Sequence, residues 1–440
     1  MWNKKTAGTL ILSLAFLTSD SINGVALPWY TCSIATGFVV FAGSRYRYSR
    51  GFIKAMKKVL LIVLLPYFAA TAYTLFSVLT YGGGGTYSLT MLRAVSSAVQ
   101  ASYRVVLAAV ILLMFREECV DVIGRAMILC YAYSLVIALH GIGAGGVVTY
   151  MLNPQKWIIP VTANSRGGIN YLERHDLGAA VGMVILYKLF LQDKDKHTPI
   201  ETFLLFFVMW GCNKRIEMLA FIVAAFFGLL ANKFRRIRNL FMNFVMVSVL
   251  ACCFTYIVLV LGGGLYVLAA KLGLDISGRV GLFRSVSRFY ELSLTYMGRG
   301  FGFTNKFLTL TANTQEGWAL GNAWMAGMHN DIAVTYIDLG TPGSFLWFAH
   351  FLLIIPWYFR KHFGNHAKYV YWLMTVFAYV SYTMDNTMFY FMFQLTMSVI
   401  VLQGCWKSVN DSASHRKMKG GIVHELQSIG TKDALTSAGT

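Results

Sequence analysis

Apolar runs separated by short charged connections fill the chain from residue 7 to residue 406. The runs lie at about 7–18, 27–43, 59–80, 92–115, 126–145, 177–191, 202–212, 216–232, 241–261, 331–358, 369–384 and 388–406. A helix of about 20 apolar residues matches the hydrocarbon core of a bilayer. The pattern therefore predicts an all-α, polytopic membrane protein with about twelve transmembrane helices, among which the run at 202–212 is short.

The composition agrees with a chain that lies in lipid. Of the 440 residues 13% are charged and 57% are hydrophobic, whereas about a quarter of a soluble domain is charged. A net charge of +19 can indicate nucleic-acid binding, but here the basic residues occur in short clusters between apolar runs. Seven cysteines form no CxxC pair, so neither a zinc site nor a disulfide framework is indicated. We expect membrane lipids, and no nucleic acid, as partners.

The basic residues divide unequally between two sets of connections. The termini and the even-numbered connections hold 25 of the 38 lysines and arginines, and the odd-numbered connections hold 11. The positive-inside rule places the richer set in the cytoplasm. We expect both termini on the cytoplasmic side of a bacterial inner membrane, with 1–406 as the transmembrane domain and 407–440 as a disordered cytoplasmic tail.

One connection on the predicted outer face is much longer than the others. It covers 271–330, and loops beyond about 12–15 residues are usually functional or disordered. Its sequence RVGLFRSVSRFYELSLTYM has an apolar stripe at helical spacing, formed by Phe283, Val286, Tyr290, Leu294 and Met297. Arg284, Arg288 and Glu291 form a second, polar stripe, and the two predict an amphipathic helix at the membrane surface. The GRGFGF that follows predicts a flexible turn.

The end of this loop carries a distinctive pattern. It reads MHNDIAVTYIDLGTPGSFLWF, in which His329 and Asn330 are followed by Gly340 and Gly343. This His-Asn…Gly-x-x-Gly arrangement resembles the bacterial O-antigen ligase and Wzy-type O-antigen (polysaccharide) polymerase superfamily. Read without the resemblance, the two glycines predict close packing of a helix.

Two further stretches resemble the same superfamily in order and position. SGR at 277–279 opens the amphipathic helix, and NKRIEMLAF at 213–221 has an arginine at the start of a helix. Members often have Ser-Arg or Thr-Arg followed by a small residue at the second stretch, whereas this chain has Lys214, Arg215 and Ile216. The N-terminal half of the chain matches only in its hydrophobic layout.

The resemblance implies a GT-C-like membrane glycosyltransferase that needs no metal and no other cofactor. Such enzymes transfer a glycan from an undecaprenyl diphosphate carrier, on the outer face of the membrane, to a hydroxyl group of an acceptor. The leaving diphosphate develops negative charge, and the planar fork of arginine suits phosphate oxygens. The resemblance therefore assigns catalytic roles to Arg279 and Arg215. It assigns His329 as the group that takes a proton from the acceptor hydroxyl or orients it.

Four further residues are candidates for substrate binding. Asn330 adjoins the histidine, and Arg284 and Arg288 lie on the polar stripe. Arg93 and Arg104 are eleven residues apart inside one apolar run, so they share a helix face that should line the protein interior or a wet cavity. We expect Arg93, nearer the outer end, to face the carrier diphosphate. The alternatives for this pair are snorkelling of Arg104 or pairing with an acid. For Arg279 and Arg215 the alternative is anchoring to lipid headgroups.

The function we expect is polymerisation of lipid-linked oligosaccharide repeat units into O-antigen, capsule or exopolysaccharide. Polymerases and ligases share the three landmarks, so an O-antigen ligase that transfers glycan to the lipid A core of lipopolysaccharide is one alternative. A transporter or flippase for a lipid-linked saccharide is another, although the chain shows no internal repeat and only seven prolines. A non-catalytic scaffold would leave the outer histidine and arginines without a role. A chain-length regulator and a flippase are the expected protein partners.

Overall fold

Helices form almost all of the protein that the computed structural model describes. The described residues are 4–19, 37–38, 50–81, 85–152, 172–196, 198–272, 279–311, 314 and 327–410. Their helices are α1 (Lys4–Ser19), α2 (Arg50–Tyr81), α3 (Gly85–Phe115), α4 (Cys119–Leu152), α5 (His175–Phe190), α6 (Pro199–Gly211), α7 (Arg215–Lys233), α8 (Arg238–Leu261), α9 (Gly264–Lys271), α10 (Arg279–Val286), α11 (Phe303–Thr311), α12 (Asp331–Ala349), α13 (Ile355–Ser381) and α14 (391–410). This part of the chain contains no β-strand, so the predicted all-α class is confirmed for it.

Five helical stretches in the described residues are long and apolar enough to cross a membrane. They are Arg50–Thr80, Leu89–Leu152, Arg215–Lys233, Arg238–Leu261 and Asp331–Ser381. Large apolar side chains such as Leu61 and Leu79 are exposed on their surfaces, as expected for helices that face lipid. The protein is a helical membrane protein, and the number of twelve crossings stays a prediction.

Two of the five stretches are much longer than one crossing. Leu89–Leu152 has 64 residues and Asp331–Ser381 has 51, which at 1.5 Å per residue gives about 96 and about 77 Å, against about 30 Å of hydrocarbon. The first is interrupted by a 3₁₀ turn at Arg116–Glu118. The second is interrupted where Gly340 and Gly364 leave the helical conformation. The 3₁₀ turn and Gly364 fall in two of the connections predicted to be cytoplasmic.

Ion pairs gather several of the basic connections at one end of the bundle. They are Lys5–Glu118 (2.6 Å), Lys188–Asp121 (2.6 Å), Arg125–Glu201 (3.4 Å), Lys407–Asp193 (2.8 Å) and a close Lys196–Glu117 pair. At the same end the rings of Phe52 and Trp406 are 5.2 Å apart. We call this end the basic end. The opposite end, which holds the connections at 211–215 and 381–390, is called the site end.

Helix α5 is enclosed by its neighbours and fixed by charge at both ends. Twelve of its sixteen residues are buried, which is typical of a helix that is apolar on all sides. Near its start, the Asp176 carboxylate accepts hydrogen bonds from two backbone N–H groups at the start of α14 (2.9 and 2.8 Å). Near its end, the buried Lys188 lies between Asp121 (2.6 Å) and Glu201 (3.2 Å). The Asp176 bonds hold the start of α14 in place, and the Lys188 contacts join α5 to α4 and α6.

The predicted amphipathic helix is shorter than its apolar stripe. Helix α10 ends at Val286, a 3₁₀ turn covers Ser287–Phe289, and residues 290–302 are not helical. Leu294, on the predicted apolar stripe, is 88% exposed. The helical prediction is therefore wrong beyond residue 289.

A break in α12 explains why this segment is not helical. Gly340 leaves the helical conformation and Pro342 has no N–H, so two carbonyl groups just before them, on Ile337 and Asp338, need other donors. They accept hydrogen bonds from the backbone N–H groups at 299–300, at 3.2 and 2.8 Å. The backbone N–H groups at 299–300 thus donate hydrogen bonds to α12 and not to carbonyl groups of their own segment.

The loop and α12 approach each other through two glycines. Gly340 has φ of 68° and Gly298 has φ of 81°. A Cβ atom at Gly340 would lie 2.3 Å from the backbone at 296–297, so the close packing predicted for this glycine is confirmed, with the loop as its neighbour. The hydroxyl of Tyr296 also donates to the carbonyl of Ile337 at 2.8 Å. These contacts hold the GRGFGF segment against α12, the turn is present at 301–302, and its flexibility stays a prediction.

Candidate functional site

His329 lies at the site end beside a buried carboxylate. Its Nδ1 is 3.2 Å from Oδ1 of Asp385, and Nζ of Lys214 is 2.9 Å from the other carboxylate oxygen. The Tyr390 hydroxyl and the backbone N–H of Asn386 both donate to Oδ1 at 2.9 Å. Asp385 thus joins three chain segments that are far apart in the sequence.

Burial and neighbouring charges together determine the ionisation state of this carboxylate. The Asp385 side chain is fully buried, whereas the side chains of Lys214 and His329 are 14% and 31% exposed. Burial alone would raise the pKa of Asp385, but the hydrogen bond with His329 and the charge of Lys214 hold that pKa well below its usual range. A fixed anion on Nδ1 orients the imidazole, and it leaves Nε2 for a ligand.

The start of α12 sets the position of His329. Asn330 is the N-cap of α12, since its Oδ1 accepts from the N–H of Ala333 at 2.9 Å. Its Nδ2 donates to the hydroxyl of Tyr256 at 2.9 Å. His329 itself has a left-handed φ of 49°, which is uncommon outside glycine and clusters at functional sites. The contacts give Asn330 a structural role, and its role in substrate binding stays a prediction.

A second buried acid holds the 381–390 connection against α12. The Asp331 carboxylate accepts from the N–H of Met388 at 2.8 Å. The backbone N–H of Asp331 donates to the carbonyl of Tyr382 at 2.9 Å. Because both bonds flank Asp385, they keep its carboxylate within reach of His329.

A cleft of about 470 Å³ opens beside the histidine. The described residues that line it are Arg93, Asn305, Lys306, Thr309, Gly327, His329, Asn386, Phe389 and Tyr390. They include the cations Arg93 and Lys306 and no carboxylate. Amide and hydroxyl groups complete the polar lining. Such a cleft suits a ligand that carries both negative charge and hydroxyl groups.

The shared face of Arg93 and Arg104 is confirmed by a common neighbour. The guanidinium of Arg93 lies 5.3 Å from the ring centroid of Phe389, and Arg104 donates to the carbonyl of Phe389 at 2.9 Å. Arg93 borders the cleft, as predicted. Arg104 is buried, donates also to Gln100 at 3.3 Å, and borders a small, mainly apolar cavity inside the bundle. It bonds within the protein and does not reach out to the membrane surface.

Asp338 fixes the helix that forms one wall of the cleft. This buried carboxylate accepts from the N–H of Gly302 (2.7 Å) and from both the N–H (2.9 Å) and the hydroxyl (2.6 Å) of Thr304. It therefore holds the first turn of α11, the helix that carries Lys306 into the cleft.

The two predicted catalytic arginines begin helices, as the sequence suggests. Arg279 is the first residue of α10, and its side chain lies outside the described residues. Arg215 is the first residue of α7 and is exposed. Its neighbour Lys214 contacts the site through Asp385. The catalytic roles of both arginines stay predictions.

Arg284 and Arg288 lie on the exposed side of the loop. Both side chains are exposed, and the guanidinium of Arg288 lies 4.9 and 5.5 Å from the ring centroids of Phe289 and Phe307. Neither arginine is among the described residues that line the cleft. Their roles in substrate binding stay predictions.

Sequence reasoning missed Asp385, Lys214 and Glu217. Glu217, one turn into α7, is fully buried and accepts from the Ser381 hydroxyl at 2.6 Å. Asp385 stands in TMDNT, between the last two long apolar runs. A single acid in so apolar a context is costly without a partner, and this is the signal that could have identified Asp385.

Comparisons of this chain with protein-family models, with curated proteins and with solved structures found no match. Among the described residues, no group of three or more His, Cys, Asp or Glu side chains is placed to hold a metal ion. What the cleft can do follows from its own side chains, which are a histidine with an anionic partner and two cations beside it.

Proposed function

We propose that this protein is a membrane glycosyltransferase that polymerises oligosaccharide repeat units carried on undecaprenyl diphosphate. One observation carries the proposal. His329, the residue marked by the His-Asn…Gly-x-x-Gly pattern, is held by Asp385 at the edge of a cleft that also contains Arg93 and Lys306. An oriented base next to fixed cations is what glycosyl transfer from a diphosphate requires.

His329 moves the proton in the proposed reaction. The acceptor hydroxyl gives its proton to Nε2 while its oxygen attacks the anomeric carbon of the donor glycan. The bond from that carbon to the diphosphate oxygen breaks, and its electron pair leaves with the diphosphate. Asp385 stabilises the imidazolium that forms, because it accepts a hydrogen bond from Nδ1.

The cations of the cleft stabilise the leaving group. Arg93 and Lys306 carry the positive charge that a departing diphosphate needs in a site without a bound metal. Arg215 and Arg279 are proposed to add to this charge when the substrate is bound. The amide and hydroxyl groups of Asn305 and Thr309 suit sugar hydroxyls.

The proposed setting is the outer face of a bacterial inner membrane. The ion-paired connections at the basic end support this orientation, because basic connections stay in the cytoplasm. Both termini are then cytoplasmic, and the site end meets repeat units delivered by a flippase. A chain-length regulator is the proposed partner for growth of O-antigen, capsule or exopolysaccharide.

The test is conversion of lipid-linked repeat units to longer chains by the purified protein. His329→Ala should lower the transfer rate by roughly 10²–10⁴-fold, the usual weight of a general base. His329→Gln keeps a hydrogen bond but cannot take the proton, so it should be nearly as slow. His362→Ala, which alters an exposed histidine at the basic end, is the matched control and should keep the wild-type rate and melting temperature.

The product identifies the function. Longer glycan on undecaprenyl diphosphate supports the polymerase, and glycan attached to the lipid A core would show a ligase. Movement of the lipid-linked saccharide across a vesicle membrane without a new glycosidic bond would show a transporter. A folded His329→Ala protein that polymerises at the wild-type rate would contradict the proposed role of His329.

A further inference from the structure

Half of the basic end carries positive charge that no described carboxylate neutralises. The segments 50–58, 233–238 and 360–368 contain eleven lysines and arginines and no aspartate or glutamate. Among the described residues, none of these eleven forms an ion pair, whereas the rest of the basic end is crossed by the five pairs given above. We call these eleven residues the cationic patch.

Hydrogen bonds bring the three segments of the patch together. Nζ of Lys58 is 3.3 Å from Nδ1 of His362. The side chain of Asn239, next to the second segment, donates to that of Asn365 in the third at 3.2 Å. The patch is therefore one surface, built from connections that are far apart in the sequence.

Two cations of the patch are held in fixed positions. Lys368 is only 2% exposed, and its Nζ donates to the side chain of Asn243 at 2.7 Å and to the carbonyl of Asn239 at 3.5 Å. The guanidinium of Arg238 lies 5.1 Å from the ring centroid of Tyr369. These contacts fix the backbone on which the exposed cations of the patch are carried.

The patch borders apolar side chains that face outward. Leu240 is 68% exposed and Ile354 is 43% exposed. Trp357 is 58% exposed, and the ammonium of Lys361 lies 5.0 Å from its ring centroid. Tryptophan with basic residues at the ends of apolar helices is typical of the level of lipid headgroups. The surface thus offers cations for a phosphate and apolar side chains for acyl chains.

We propose that the cationic patch binds an anionic phospholipid of the surrounding membrane. Its lysines and arginines bind the headgroup phosphate, while the acyl chains lie along Leu240 and Ile354. Basic sites between transmembrane helices are suited to such headgroups. An acidic protein segment fits less well, because the exposed Leu240 and Ile354 lie on helices that are apolar enough to cross the membrane and so face its lipids. The proposal does not depend on glycan transfer.

The test compares two triple variants with equal loss of charge. Arg235→Gln, Arg236→Gln and Arg360→Gln remove three exposed cations from the patch. Lys5→Gln, Lys196→Gln and Lys407→Gln remove three from the ion-paired half and serve as the control. Binding of cardiolipin and of phosphatidylcholine to each purified protein is measured by native mass spectrometry, with the melting temperature recorded in each lipid.

The wild type should retain cardiolipin in preference to phosphatidylcholine and melt at a higher temperature in its presence. Each surface cation near an anionic lipid contributes about a fivefold factor, so the patch variant should bind cardiolipin on the order of 10²-fold more weakly. The control variant should bind like the wild type. Equal losses in the two variants, or equal retention of phosphatidylcholine, would overturn the proposal. Displacement of cardiolipin by inorganic phosphate at matched ionic strength would overturn it in favour of a free-phosphate site.

Discussion

At the scale of single residues, the contact between Asp385 and Lys214 should link the stability of the fold to the proposed glycan transfer. Asp385→Asn leaves a partly buried ammonium without its anion, which costs about 3–5 kcal/mol when a buried pair is broken. It also removes the anion that orients His329. We expect this variant to melt at a lower temperature and to transfer glycan slowly, measured by thermal melt and by the polymerisation assay.

The double variant Asp385→Asn with Lys214→Met separates the two effects. Without the unpaired ammonium, the melting temperature should recover in part, while the transfer rate stays low because His329 still lacks its anion. A double variant that regains the wild-type rate would show that Asp385 serves only the fold. Lys407→Met, at an exposed ion pair of the basic end, is the control and should change neither quantity.

Residue-scale prediction from the sequence succeeded where the signal is local. His329 was found from a pattern within fifteen residues of sequence, and the structure places it in a polar site. Asp385 was missed because its partners lie at 214 and 329, and a single sequence does not show which distant residues meet. The same limit explains why Arg215 was proposed and Lys214 was passed over. The sequence shows an arginine at the start of a helix, but it does not show that the lysine before it contacts Asp385.

At the scale of elements, the break in α12 can be tested with two glycines. Gly340→Ala and Gly364→Ala both place a Cβ atom on a residue with positive φ and extended ψ, at a cost of roughly 1–3 kcal/mol. At Gly340 the new atom would also lie 2.3 Å from the loop backbone, whereas at Gly364 no atom lies within 4 Å. Gly340→Ala should therefore lower the melting temperature clearly more than Gly364→Ala, its matched control.

Activity should follow the same order. Gly340→Ala pushes away the loop that leads to α11, so it should also slow transfer, while Gly364→Ala should leave the rate near the wild type. Equal effects of the two substitutions on melting temperature would mean that the loop does not press against α12 as described.

Helices were predicted well where apolar length alone decides them. The runs at 216–232 and 241–261 match α7 and α8 to within a few residues. The amphipathic helix was predicted to be too long, because its apolar stripe continues to Met297. The backbone of this segment instead forms hydrogen bonds with α12. Such hydrogen bonds to a helix distant in the sequence do not change the spacing of apolar residues, so the sequence pattern does not reveal them.

At the scale of the whole molecule, the orientation in the membrane can be tested with two cysteines. In a background without the seven native cysteines, Leu294→Cys marks the site end and Lys361→Cys marks the basic end, and both positions are exposed. If the site end faces outward, a membrane-impermeant thiol reagent on intact cells should label only the first. The second should be labelled after the membrane is made permeable, and the reverse pattern would contradict the proposed orientation.

The distribution of charge along the sequence predicted which connections lie at the same end of the bundle. It did not predict which of them form ion pairs there. The 25 to 11 distribution of basic residues groups the connections that the ion pairs bring together. It does not distinguish the ion-paired half from the cationic patch, because that difference depends on which connection lies next to which acid.

The order of synthesis adds a consequence of the His329–Asp385–Lys214 contacts. Lys214 leaves the ribosome about 170 residues before Asp385, which at roughly 5–20 residues per second corresponds to an interval on the order of 10–30 s. During that interval the α6–α7 hairpin enters the membrane with an ammonium group that has no anion. A chain that stops before the 381–390 connection never acquires one. Until its last helices are inserted, the newly synthesised chain therefore lacks the Asp385 contacts that join Lys214 to His329.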